Sequence, residues 1–192
     1  EPNSKPIIVL FAARLLREKG LPQLVDAISK LQRSENQVIA QVAGIYDDAS
    51  QDAISQQEIE AWQREGVIEW LGRRNDMHNV IAQSHIVCLP TSYGEGIPRI
   101  LIEGAACGRP IVATDVSGCN EIIEDGKNGF LVRPQPDQSL YDRLSILIGS
   151  KPLRERMGRV GRDKVVKEYS QEAVVLCMLT AYEELLKIKH ST

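Results

Sequence analysis

From Ile7 onward the chain alternates short runs of β-branched and aliphatic residues with longer amphipathic segments. A parallel strand pair needs a helix-length crossover, so this alternation predicts a parallel sheet covered by helices on both faces. Six strands are expected at Ile7–Ala12, Val38–Ala43, Val67–Trp70, Ile86–Leu89, Ile111–Ala113 and Phe130–Val132. The clearest helical stripe is Leu21, Leu24, Val25, Ile28 and Leu31, spaced i, i+3, i+4, i+7, i+10. Further helices are expected at 53–65, 76–83, 98–107, 119–124, 138–148, 152–168 and 171–189. The 192 residues suffice for one large core, so the expected fold class is α/β: a single Rossmann-like, doubly wound domain over residues 1–192.

The composition excludes several classes of function. A formal net charge of −3 with 26% charged residues lacks the basic excess of a general nucleic-acid binder. The apolar runs fall far short of a membrane span, and the opening EPNSKP lacks the charged and apolar regions of a signal peptide, so a cytoplasmic location is expected. A linker of six residues leads straight into the first strand, as in a C-terminal portion of something longer. The cysteines at 88, 107, 119 and 177 form no C-x-x-C pair, and Cys88 and Cys177 lie in apolar runs, so buried reduced thiols are expected.

The last segment, 170–190, reads as a helix capped by Ser170. Its apolar residues form two stripes, Val174, Met178, Ala181 and Leu185 beside Val175, Leu179, Tyr182 and Leu186. Two apolar faces call for two packing partners: the body of this domain and a second domain, unless the helix is simply buried or is a dimer contact.

Ligands of a doubly wound sheet bind beyond the carboxyl ends of its strands. After the first strand, Arg14 and Lys19 flank a loop ending at Gly20, where two cations and free helix amides could receive a phosphate or diphosphate; solvated surface charge is the plainer reading. After the fourth strand, TSYGEGIPRILIE places Glu95 between Gly94 and Gly96, with Pro98 in the first turn of a helix that carries Glu103. A dinucleotide motif is disfavoured, because Arg99 replaces its third glycine and a carboxylate would face the pyrophosphate. Carboxylates accept hydroxyl donors in pairs, so Glu95 and Glu103 suit a sugar and a ribose; read alone, they are also ordinary helix-end or ion-paired charges. Together these loops describe a nucleotide-sugar site. Asp47, Asp48 and Asp115 read as loop formers rather than metal ligands, and His78, His85 and His190 as core or surface residues.

These residues resemble the retaining glycosyltransferases of the GT-B fold known as family 4, or group 1. The resemblance covers nearly the whole chain. It rests on AARLLREKGLPQLVDAISKL, on VAG, on the long run from VIEWLGRRNDMHNVIAQSHIVCLPTSYGEGIPRILIEG to NGFLVRP, and on the pair Glu95-x7-Glu103. It implies the C-terminal, donor-binding half of a two-domain enzyme that transfers sugar from a nucleotide-diphospho-sugar, expected to be UDP-linked, with a missing N-terminal domain binding the acceptor. Arg14 and Lys19 would hold the diphosphate and stabilise the departing nucleotide, which with Glu95 makes the implied catalytic set. Glu95 would bind the sugar hydroxyls and Glu103 the ribose, while Gly96, Ile97, Arg99 and Ile100 line the turn that supplies amides, and Gly72, Arg73 and Arg74 lie near the base. No metal or other cofactor is expected. The family's usual Phe-Gly after the first Glu is replaced here by Gly96-Ile97-Pro98. The GEGIP form looks like a subgroup that makes bacterial surface polysaccharides, which implies work at the inner face of the membrane, reached through the missing domain. A sugar-nucleotide epimerase and a non-catalytic nucleotide-sugar module are the alternatives.

Overall fold

A computed structural model describes residues 6–34, 37–47, 49–94, 96–134 and 138–189. Three residues singled out above, Asp48, Glu95 and His190, lie outside them. Six strands form one sheet: β1 (Ile7–Ala12), β2 (Val38–Ala43), β3 (Ile68–Gly72), β4 (Ile86–Leu89), β5 (Ile111–Thr114) and β6 (Gly129–Val132). They lie side by side in the order β3-β2-β1-β4-β5-β6, and every adjacent pair is parallel. The order reverses between β1 and β4, which is where a doubly wound sheet opens a crevice at its carboxyl edge.

The connecting helices are α1 (Leu21–Arg33), α2 (Gln56–Arg64), α3 (Met77–Gln83), α4 (Arg99–Ala106), α5 (Cys119–Ile122), α6 (Ser139–Gly149), α7 (Lys151–Tyr169) and α8 (Gln171–Lys189). Right-handed crossovers send α1 and α2 to one face of the sheet and α3 and α4 to the other. The packing agrees: α6 lies against α1, and α7 against α4. β4 and β5, covered on both sides, are buried at every residue, which is why they read as unbroken apolar runs. The α1 stripe is buried as its spacing requires, Leu21, Leu24, Val25, Ile28 and Leu31 all facing the core.

Several boundaries differ from the sequence reading, each for a local reason. α2 starts at Gln56 rather than near 53, because Ser55 and Glu58 close a capping box, Glu58 N donating to Ser55 Oγ at 3.3 Å and Ser55 N to Glu58 Oε2 at 3.1 Å. The residues before it are drawn to the first loop instead, Ile54 N donating to Leu15 O at 2.9 Å. β3 continues to Gly72, which pairs with Ala43 across a register shift, so Gly72 ends a strand instead of opening a loop. Pro98 caps α4 from outside rather than sitting in its first turn.

The last helix departs most. Ser170 does cap it, accepting from Ala173 N at 3.2 Å, and α8 packs on α7. Neither of its stripes is buried: Val174, Val175, Met178, Leu179, Tyr182, Leu185 and Leu186 are between 45% and 63% exposed. Cys177 is exposed with them, against the expectation of a buried thiol, while Cys88 and Cys119 are buried and Cys107 is half-buried. An apolar run in a helix beyond the sheet does not by itself bury its cysteine.

Candidate functional site

Two loops meet at the switch point, the one after β1 and the one after β4. Their junction is the carbonyl of Glu18, which accepts from Ser92 N at 2.7 Å, Thr91 Oγ1 at 3.1 Å and Ser92 Oγ at 3.2 Å. Gly20 permits the approach. Its φ of +86° is left-handed, and a Cβ there would stand 2.0 Å from the carbonyl oxygen of Pro90. No side chain fits in that gap.

This junction buries Lys19, which ends a short 3₁₀ turn (Arg17–Lys19) and is only 7% exposed. Its Nζ donates to the Tyr93 hydroxyl at 2.6 Å and lies 4.6 Å from the ring centroid. A lysine is this deeply buried only when its charge is held by partners. The sequence reading gave Tyr93 no role; its signal was an aromatic residue immediately before the glycine pair.

Three of the remaining cations gather elsewhere along the same edge. Arg14, Arg73 and Arg74 line a cavity of about 180 Å³ with Gly44, Ile45 and Met77, at the carboxyl ends of β1, β2 and β3. Arg14 Nη1 is 3.0 Å from Asp47 Oδ2, an exposed pair. Arg74 is forked on Asp76 at 2.9 and 2.7 Å, and that hydrogen bonding holds the Asp76 carboxyl below its ordinary range. Trp70 Nε1 donates to Gly44 O at 3.0 Å, and its ring lies 4.9 Å from that of Tyr46, which fixes the wall behind the arginines.

A second and larger cavity, about 620 Å³, opens between α3 and α4 and shares Met77 with the first. Asn75, His78, Arg99, Glu103 and Cys107 line it. Glu103 is paired with Arg99, one turn earlier, at 2.8 Å, and the arginine side chain is 90% exposed. Such a pair contributes about 0.2–1 kcal/mol, so ligand hydroxyls can displace it at small cost. Ile100 is buried in the core, Ile97 is half-buried against it, and Gly96 is exposed. Leu101 N already donates to Pro98 O at 3.0 Å, and Pro98 has no N–H, which leaves the Arg99 and Ile100 amides as the donors of the first turn.

The structure therefore divides the expected site into neighbouring parts. Arg14 stands with Arg73 and Arg74 beside Gly72; Arg99 and Glu103 stand across Met77; Lys19 lies beneath the junction with Tyr93 and lines neither cavity. Asp115 accepts from Asn120 Nδ2 at 3.0 Å, and among the described residues no three His, Cys, Asp or Glu side chains gather as a metal site would need.

What these elements define is a doubly wound α/β domain with arginine-lined cavities along the carboxyl edge of its sheet. Residues 1–164 match the family described as Glycosyl transferases group 1, and the chain belongs to that family. Over 185 residues it is 27% identical to the N,N'-diacetylbacillosaminyl-diphospho-undecaprenol alpha-1,3-N-acetylgalactosaminyltransferase of Campylobacter jejuni, covering 96% of this chain and 46% of the relative. It is 28% identical over 196 residues to the alpha-maltose-1-phosphate synthase of Mycobacterium tuberculosis, covering 96% and 49%. Among solved structures, Anabaena HepE in complex with UDP superposes with a TM-score of 0.80 at 24% identity, covering 98% of this chain and 50% of that one. The chain thus spans about half the length of these relatives, and its fold is that of the GT-B glycosyltransferases. Among the described residues no helix is long and apolar enough to cross a membrane.

Proposed function

We propose that the chain is the donor-binding half of a retaining glycosyltransferase that takes sugar from a nucleotide-diphospho-sugar, UDP-linked, for bacterial surface glycoconjugates. The observation that carries this reading is the junction at the Glu18 carbonyl, which ties the loop of Arg14 and Lys19 to the turn before α4. HepE, solved with UDP and with UDP-glucose, and the undecaprenol-linked transferase of Campylobacter jejuni support the donor and the setting.

In this reading Arg14 and Lys19 neutralise the diphosphate as the glycosidic bond to it breaks, so that the leaving group departs without protonation. Arg73 and Arg74 lie toward the base. Glu103 exchanges its exposed Arg99 for ribose hydroxyls, and Glu95 holds the hydroxyls of the transferred sugar. These side chains bind and orient, and the chain's own cations carry the charge stabilisation without calling on a metal. The acceptor comes from a second domain, for which the apolar faces of α8 offer a surface. Through that domain the enzyme works at the cytoplasmic face of the membrane.

Calorimetric titration with UDP, GDP and ADP and with their sugars tests the reading. UDP is expected to bind best, Lys19→Ala to lose nucleotide affinity, and Glu95→Ala to lose only the increment due to the sugar. Loss of bare-nucleotide binding in Glu95→Ala overturns its role, and no binding of any of the three overturns the donor assignment. Residues 1–192 alone should transfer no sugar; robust transfer removes the need for a second domain.

A further inference from the structure

At the opposite edge of the sheet, where β4 and β5 begin, a cavity of about 220 Å³ is lined by His85, Arg109, Lys151, Arg154 and Glu155, with Gly108 and Pro110. The four-residue β4, about 13 Å long, separates it from the loops of the donor site. Of the charged side chains around it, three are cations and one is a carboxylate. From the geometry of this cluster we infer a second anion site, built for a phosphate group carrying two negative charges.

The two arginines are anchored by carbonyls at helix ends. Arg109 Nη2 donates to Ala82 O at 3.1 Å, just before the end of α3, and Arg154 Nη1 donates to Leu147 O and Ile148 O in the last turn of α6, at 2.6 and 2.9 Å. Each guanidinium is therefore held in place by one corner. Arg109 Nε is buried and has no hydrogen-bond partner among the described residues, an unmade bond that ordinarily carries a cost.

Lys151 opens the 19-residue α7, whose positive dipole end faces the same side. Its Nζ stands 3.9 Å from Glu155 Oε1, and both side chains are more than half exposed. That contact is too long and too wet to neutralise the cluster. His85 Nδ1 accepts from Ile8 N at 3.0 Å, which leaves Nε2 as the proton-bearing nitrogen of the neutral ring. Burial, and then the Arg154 and Arg109 charges, hold this imidazole below its ordinary range, so it remains a neutral donor beside uncompensated positive charge. Two net positive charges and a neutral N–H donor match the two negative charges of a phosphate monoester.

Such a phosphate could be free or the headgroup of an anionic lipid, and the experiment separates the two. Inorganic phosphate and pyrophosphate are titrated calorimetrically, and vesicles of phosphatidylcholine with and without phosphatidic acid are tested by cosedimentation. Binding with a Kd of about 1 mM or tighter is expected in at least one arm, and the arm that binds identifies the source. Lys151→Glu, an exposed substitution, should weaken it about tenfold, and Glu155→Gln should tighten it severalfold, changes of opposite sign that misfolding does not produce. Absence of binding in both arms overturns the inference. So does binding that ignores Lys151→Glu and Glu155→Gln and is lost in Arg14→Ala, since the phosphate would then occupy the donor crevice.

Discussion

Replacing Gly20 by Ala tests whether the crevice depends on the contact between its two loops. At φ +86° an L-residue pays about 1–2 kcal/mol for the left-handed backbone. The added Cβ would also meet backbone, the Pro90 oxygen at 2.0 Å and its carbonyl carbon at 2.5 Å, so the loop must withdraw by more than an ångström. Withdrawal stretches the three hydrogen bonds on the Glu18 carbonyl, each contributing about 0.5–1.5 kcal/mol, for a further loss of about 2–4 kcal/mol. Gly66→Ala is the control, because Gly66 has φ +73° with nothing within 4 Å of the new Cβ and incurs the backbone cost alone. Urea unfolding of both variants should show Gly20→Ala less stable than Gly66→Ala by about 2–4 kcal/mol at an unchanged m-value. Nucleotide affinity should fall in Gly20→Ala and hold in Gly66→Ala. Equal destabilisation of the two would refute the claim that close packing of these loops builds the site.

Two further predictions concern titratable groups. Burial works against the Glu58 carboxylate, but its hydrogen bonds from Arg17 and Ser55 outweigh that and hold it below the ordinary range. A depressed carboxylate contributes stability above its unfolded value, near pH 4.3, and the contribution is lost as pH falls through the folded value. Arg17→Met should therefore lose less stability than the parent between about pH 5 and 3, a difference held below about 1 kcal/mol by solvent screening of this exposed pair; identical pH slopes in urea titrations would remove the pair from the account. Burial pushes the Cys88 thiol far above its ordinary range while Cys177 is exposed, so a thiol reagent should label Cys177 in the native protein and Cys88 only on unfolding. Rapid native labelling of Cys88 would contradict the packing of β4.

The fold was legible because each buried strand announces itself in a short apolar run and the α1 stripe names the face it buries. What escaped were contacts between residues far apart in the chain. Nothing around Lys19 announces Tyr93, 74 positions on, since the pairing exists only after β1 and β4 become neighbours. The glycine after Lys19 read as the end of a loop, and only the sheet shows that it is also a point of contact with Pro90. His85 read as a core or surface residue; the sheet edge and α7 bring it to one cavity with Arg109. Composition and spacing locate what one segment does alone, and the junctions at the switch point are properties of the closed sheet.

The exposed face of α8 makes a further claim on experiment. A 19-residue helix in water is marginal by itself, and an N-cap such as Ser170 contributes only about 1 kcal/mol. Packing has to supply the remainder, yet Leu176, Tyr182, Leu185 and Leu186 are more than half exposed, and burying each would be worth roughly 1.5–3 kcal/mol. The stability of α8 in this chain is thus local and small beside that of β1, whose Val9, Leu10 and Phe11 are fully buried. Amide exchange in dilute protein should be fast throughout α8 and slow in β1, with opening of the helix independent of global unfolding. If a second domain covers the helix in a longer form of the protein, the same amides should there become as slow as those of the sheet. Protection in α8 that already equals that of β1 in this chain at low concentration would show that its apolar faces need no cover. Protection that grows with protein concentration would identify the cover as a second copy.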